Sequence, residues 1–332
     1  MRYRKLGRTD IEVSVICQGC WSIVSEDMTW GGNVLEDSIA AVRASYDAGV
    51  NFFDTAEAYG DGESEEILAR ALEGRRKDVV IATKVSPGSH EPKKLKAACE
   101  ESLRRLRTDC VDLYQLHWPS RDVPLAETLG AMEELKAGGM IRAVGVSNFG
   151  VSFMAELLSA GRVESNQLPY SLLWRPIEFE VQPLCVENEL SILCYSSICQ
   201  GLLTGKFASP DEVPDGRART RLFSRDRLHS RHGEGGCEAE AFKAIAKIRE
   251  ICRSIKAPMA AVALAWLLSR EGVASAIVGG RNAAQARDNA AAGDLELLDD
   301  VVEALSKATE EVKRRTGANC DLWQSDSRME RA

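Results

Sequence analysis

Eight short apolar runs punctuate the chain, and each one after the first follows a stretch whose apolar residues recur at helical spacing. The runs are VSVIC, VNFF, DVVIATK, CVDLYQLH, IRAVGVSN, VESNQL, LSILCYS and VASAIVGG. Between the first two, LEDSIAAVRASYDA carries the helical pattern from Leu35 to Ala48 and stops at Gly49, a residue suited to a helix C-terminus. Strands separated by helices pair in parallel through right-handed crossovers. Eight such units predict an α/β chain closed into a (β/α)8 TIM barrel, in preference to an open doubly wound sheet. Consistent with that choice, no G-x-G-x-x-G follows the first run, where a dinucleotide-binding open sheet carries one.

Bulk composition fits a large core: 332 residues, 45% of them hydrophobic. The formal charge of -8, from 50 acidic against 42 basic residues, gives no overall bias toward nucleic acid or an anionic membrane. No run approaches the roughly 20 apolar residues of a membrane span, so a cytoplasmic location is expected. Ten cysteines are scattered through apparent strands and helices and are expected to be reduced and buried, not cross-linked. Cys17 and Cys20 have the spacing of half a zinc site, but no second pair or neighbouring histidine completes it, and His229 and His232 also lack partner ligands. No metal is therefore expected. After the seventh run the segment from Ile198 to Gly236 is long, polar and without period, which reads as a lid or binding loop. We expect one domain over residues 1–316 and a polar tail over 317–332, with Trp323 as a candidate anchor.

In a closed barrel the residues after the C-terminal ends of the strands converge on one mouth. Asp54 and Tyr59 follow the second run, Lys84 ends the third, His117 the fourth, Asn148 the fifth, Asn166 and Gln167 the sixth, and Tyr195 the seventh. A nearby ammonium favours a tyrosine's phenolate, so Lys84 is expected to lower the pKa of Tyr59, with Asp54 offsetting the lysine's desolvation. His117 can orient a substrate oxygen beside the tyrosine hydroxyl. Together these groups suit proton transfer to a carbonyl oxygen or from an alcohol.

Carbonyl reduction also needs a hydride source. Asn148 and Gln167 suit a carboxamide and Tyr195 a flat ring, the two features of nicotinamide. Farther on, GLLTGK places Gly201, Gly205 and Lys206 where backbone and a cation can meet phosphate. Gly279, Gly280 and Arg281 lead into a helix whose N-terminus favours phosphate, and Arg281 offers a fork for the extra phosphate of NADP. Trp21, Trp118, Trp174 and Arg175 are candidates for the substrate pocket.

Along nearly its whole length the sequence resembles the aldo-keto reductases, through YRKLGRTDIEVSVICQGCW, NFFDTAEAYG, IATK, VDLYQLHWP, GVSNF, NQLPYSLL, YSSICQGLLTGK and GGRNAAQARDN. The resemblance implies a catalytic set of Asp54, Tyr59, Lys84 and His117 and nicotinamide contacts at Ser147, Asn148, Gln167 and Tyr195. It places adenosine and phosphate contacts at Lys206, Arg281, Gln285, Asp288 and Asn289, and the expected cofactor set also includes Gln200, Gly201, Leu203, Gly205, Gly279 and Gly280. It implies NADPH-dependent reduction of an aldehyde or ketone, with NAD as the other possible nucleotide. LLWRPIE, YSSICQGLLTGK and the extended loop look most like a bacterial branch that includes sugar, polyol and inositol-related reductases. Two positions depart from the pattern: Gln285 stands where many relatives carry a phosphate-binding arginine, and Ser197 where relatives often have proline.

Two other function classes compete. The resemblance extends to potassium-channel beta subunits, so a non-catalytic nucleotide-binding partner is one; the complete set of four residues and the short segment before the first strand favour an enzyme. A barrel lyase or aldolase using Lys84 as a Schiff-base amine is the other, and an Asp54 partner works against it by keeping the amine protonated. The substrate is expected to be a small carbonyl or sugar compound, and the oligomeric state is left open between monomer and homo-oligomer.

Overall fold

The computed structural model describes residues 1–26 and 31–330. All eight predicted strands form, as β3 (Ile16–Gly19), β4 (Phe52–Asp54), β5 (Val80–Val85), β6 (Val111–Leu116), β7 (Ile141–Ser147), β8 (Ser165–Pro169), β9 (Ser191–Tyr195) and β10 (Val273–Gly279). They pair in parallel in chain order, and β10 closes on β3 through Ala276 opposite Ile16 and Gly279 opposite Gly19. The chain is thus the expected (β/α)8 barrel.

Side chains of successive strand residues point to opposite faces, so each strand serves two cores. Phe52, Cys17, Ala82, Leu113, Ala143, Leu193 and Ile277 fill the barrel interior. Phe53, Ile81, Tyr114, Val144 and Ile192 face the surrounding helices. Those helices are α1 (Leu35–Asp47), α2 (Glu63–Ala71), α3 (Pro92–Leu106), α4 (Leu125–Ala137), α5 (Val151–Ala160), α6 (Val181–Glu187), α7 (Glu238–Ser254), α8 (Met259–Leu268), α9 (Ala283–Ala292), α10 (Asp299–Ala308) and α11 (Glu310–Thr316). α3 begins as its sequence asks, with Pro92 in the first turn and the Glu91 carboxylate accepting from the backbone N–H groups of Lys93 and Lys94. No single described helix is long and apolar enough to cross a membrane.

An antiparallel hairpin, β1 (Tyr3–Lys5) and β2 (Glu12–Ser14), precedes the barrel and was not anticipated. Its Leu6, Ile11 and Val13 join the interior cluster, and Gly7 N–H donates to Ser191 Oγ at 2.8 Å. The hairpin therefore plugs the N-terminal end of the barrel and leaves the other end as the open mouth. The polar tail is also folded: Gly150 N–H donates to Met329 O at 3.0 Å, and the Glu330 carboxylate accepts from Val151 N–H and Ser152 N–H at the start of α5. Arg331 and Ala332 lie outside the described residues. All ten cysteines are free thiols, nine of them buried and Cys110 half-buried.

Candidate active site

Neighbouring parallel strands end on one face, and four chemically active side chains meet there. Asp54 ends β4, Lys84 is the penultimate residue of β5, His117 directly follows β6, and Tyr59 sits in the turn before α2. The buried Lys84 ammonium donates to Asp54 Oδ1 at 2.7 Å, Thr55 O at 2.8 Å and the Tyr59 hydroxyl oxygen at 3.1 Å. Three donors meet three acceptors. The other Asp54 oxygen accepts from Gln167 Nε2 at 2.7 Å and Gln115 Nε2 at 3.3 Å.

Burial pulls the Lys84 pKa down, but the Asp54 carboxylate and Tyr59 outweigh it, and the net shift is upward. An amine held as ammonium is a poor nucleophile, which removes the basis for Schiff-base chemistry at Lys84. The expected lowering of the Tyr59 pKa is overturned: burial raises it, the charge and hydrogen bond of Lys84 pull it down, Asp54 pushes it up, and the net shift is upward. Tyr59 is therefore a neutral phenol. Because its oxygen accepts from Lys84, its own O–H is directed elsewhere. The His117 ring meets the Tyr59 ring edge-on with centroids 5.8 Å apart. Burial and then the Lys84 charge lower its pKa to about 3, so the imidazole is neutral.

A cavity of about 760 Å3 opens on Asp54, Tyr59 and His117. Trp21 forms part of its wall and stacks on Tyr59 with centroids 6.2 Å apart. Asn148, with φ of 63°, donates from Nδ2 to His117 O and Ser147 Oγ, both at 3.0 Å, and its Oδ1 accepts from the Tyr195 hydroxyl at 2.8 Å. Lys206, Arg217 and Arg281 also line the cavity. Burial, followed by Arg217 and Arg281, lowers the Lys206 pKa; burial and Arg281 do the same to Arg217. Three mutually repelling cations favour an anion among them. Beside them α9 begins, its Asn282 side chain accepting from Gln285 N–H and its Gln285 Oε1 from Arg281 N–H. Gly201 lines the same wall at φ of 90°, a left-handed conformation suited to glycine.

Comparison with known proteins decides what this mouth belongs to. The sequence model of the Aldo/keto reductase family matches residues 15–310. The chain belongs to the aldo/keto reductase family. It is 35% identical over 298 residues to aldo-keto reductase YhdN of Bacillus subtilis (strain 168), covering 86% of each chain. It is 30% identical to the NADH-specific methylglyoxal reductase of Escherichia coli (strain K12), covering 95% of this chain and all of the relative. Among solved structures, an aldo/keto reductase from Klebsiella pneumoniae in complex with NADP and acetate is 32% identical with a TM-score of 0.71, covering 89% of this chain and 91% of that one.

Of the cofactor positions expected from the family, Ser147, Asn148, Gln167, Tyr195, Gln200, Gly201, Lys206, Gly279, Arg281, Gln285, Asp288 and Asn289 line the cavity. Leu203, Gly205 and Gly280 do not. Leu203 is fully buried in the outer core, Gly205 supplies a left-handed turn with φ of 75°, and a side chain on Gly280 would press within 3.1 Å of Ala286 N. Ser197, at the position where relatives often carry proline, donates toward Cys194 O and Ile277 O and ties β9 to β10.

Two substrate-pocket expectations are corrected. Trp174 is completely buried and donates its indole N–H to Cys320 O, while Arg175 is clamped by both oxygens of Glu178 at 2.8 and 2.7 Å. Trp174 thus packs beneath the tail and Arg175 against the junction of α10 and α11, and neither lines the cavity. Trp21 and Trp118 do line it. Sequence reasoning missed Arg217, Arg219, His229 and Arg231 from the long loop, and Trp323, Gln324 and Arg328 from the tail. Fully buried Asp321 organises the tail by accepting from the backbone N–H groups of Trp323, Gln324 and Arg328 and from the Arg328 guanidinium at 2.9 and 3.0 Å. The Arg328 guanidinium lies 3.7 Å from the centre of the Trp118 ring.

Proposed function

We propose that this protein reduces an aldehyde or ketone to an alcohol, reversibly, with NADPH as the favoured nucleotide and NAD as the alternative. The observation that carries the reading is the Lys84 ammonium held between Asp54 and the Tyr59 hydroxyl oxygen. Donation from Lys84 stabilises the negative charge that grows on Tyr59 oxygen as its proton leaves, while the phenol stays protonated at rest. Neutral His117 orients the substrate oxygen beside that hydroxyl. Ser147, Asn148, Gln167 and Tyr195 suit the nicotinamide, and Lys206, Arg281 and the start of α9 suit the phosphates. When bound, the nucleotide supplies the hydride.

For the finer substrate class, the flat faces of Trp21, Trp118 and Trp323 beside the polar ends of Gln324 and Arg328 favour a small hydroxylated carbonyl compound of the sugar or polyol kind. Replacing Tyr59 with phenylalanine tests the reading. Carbonyl reduction should fall by about 10²- to 10⁴-fold, while NADPH binding, read by fluorescence titration, stays near wild type. Retained turnover would refute the role given to Tyr59.

A further inference from the structure

We infer that the tip of the loop between β9 and α7 reads an anionic group on the substrate, a carboxylate or a phosphate, through Arg231 and His229. The inference rests on the carbonyl-reductase reading and narrows the substrate of the same site.

The segment RDRLHSRHG, Arg225 to Gly233, is rich in basic residues, and its side chains divide into two sets. One set fastens the loop. Arg225 donates to Gly233 O at 3.1 Å, and Arg227 reaches both oxygens of Glu238 at 3.2 and 2.6 Å. Buried His232 accepts from Glu234 N–H at Nδ1 and therefore donates from Nε2 to Thr220 O at 3.1 Å. The other set is His229 and Arg231. Both line the cavity, and neither forms a hydrogen bond or ion pair with any described residue. A basic pair on a backbone anchored on both sides is placed to meet something that enters the cavity.

The tip is tied to a different element from the cations that cluster where α9 begins. Gly233 N–H donates to Ser325 Oγ at 3.0 Å, which ties the tip to the tail segment carrying Trp323, Gln324 and Arg328. Lys206, Arg217 and Arg281 form their own cluster where α9 begins. Charge balance points the same way. The carboxylates lining the cavity are Asp54, committed to Lys84, and Asp288. Against them stand six cationic side chains, of which Arg328 is paired with Asp321 and Lys206, Arg217 and Arg281 cluster where α9 begins, in a chain whose formal charge is -8. Such a local excess concentrates anionic ligands, and guanidinium groups bind carboxylate and phosphate with directed hydrogen bonds.

The test compares two matched pairs of aldehydes at saturating NADPH: butanal with succinic semialdehyde, and glyceraldehyde with glyceraldehyde 3-phosphate. Wild type should favour the charged member of at least one pair in kcat/KM, and the pair that responds identifies the anion. Arg231→Ala should lower that charged-to-neutral ratio by about tenfold, mainly through KM, as expected for one lost charge-assisted hydrogen bond. Equal treatment of both members by wild type, or an equal loss for both in the variant, overturns the inference and leaves carbonyl reduction standing. A variant that weakens NADPH binding with the ratio unchanged also overturns it, because the tip would then read the cofactor. If wild type binds NADPH but reduces none of the four aldehydes and no member of a wider carbonyl panel, the underlying reading falls too.

Discussion

Substituting Asp54 with asparagine keeps the side chain's shape and removes the charge that holds Lys84. The two side chains are 3% and 0% exposed, so an uncompensated ammonium would be left in the barrel mouth. Removing one partner of such a buried pair costs about 3–5 kcal/mol. Thr55 O and the Tyr59 oxygen would still accept from the ammonium. An asparagine oxygen turned toward Lys84, however, would place its amide N–H groups against the donating amides of Gln167 and Gln115. Urea unfolding near pH 7 should show the loss. The pH dependence supplies a second check. In wild type the folded pKa of Lys84 lies above its unfolded value of about 10.4, so its contribution is full below that value and is lost as pH rises through the folded pKa. In Asp54→Asn, burial, the largest single influence and now opposed only by Tyr59 and Thr55 O, should take the folded pKa below the unfolded one. The unfolded chain then binds the proton that the fold has given up, and stability rises with pH toward about 10. The deficit should therefore shrink when measured near pH 9.5, and Asp54→Asn combined with Lys84→Met should recover more than about 1 kcal/mol of it. A single variant within about 1 kcal/mol of wild type near neutral pH, or a deficit that grows with pH, would refute this account of the pair.

Arg281→Ala should raise the Kd of NADPH about tenfold, leave NADH binding nearly unchanged and weaken the salt dependence of NADPH binding; an equal loss for both nucleotides in fluorescence titrations would contradict its assignment to the extra phosphate. With the His117 pKa lowered to about 3 by burial and by the Lys84 charge, the kcat profile should show no limb from this histidine across the neutral range. A limb near the ordinary histidine value that disappears in His117→Gln would contradict a neutral imidazole.

The barrel and its mouth were legible because they rest on local periodicity. Each strand shows its apolar run, each helix its spacing, and closure brings Asp54, Lys84 and His117 together at three successive strand ends without any knowledge of the loops. The β1–β2 hairpin escaped notice because its strands are only three residues each, and RTD between them reads as an ordinary polar turn. Arg217, Arg219, His229 and Arg231 lie in a segment without a repeating pattern, so which of its basic side chains face the cavity depends on anchors as distant as Ser325 and Thr220. Trp174 and Arg175 misled for a related reason. They follow a barrel strand, but a turn closed by Ser171 and Trp174 sends Trp174 beneath the tail and Arg175 against the junction of α10 and α11. The direction of the Tyr59 shift required the actual burial, which outweighs the neighbouring ammonium.

The cysteines offer a chemical clock for motion in this barrel. Thiol reagents attack the thiolate, and burial raises the pKa of Cys199 and Cys237 to about 12 and pushes Cys17 and Cys194 up as well. Each sulfur becomes reactive only when its own segment opens. Cys199 and Cys237 bracket the loop that carries the basic tip, whereas Cys17 and Cys194 sit in β3 and β9 of the barrel wall. Timed alkylation read by mass spectrometry can thus rank the opening of the loop against that of the barrel in one unmodified protein, with no label introduced.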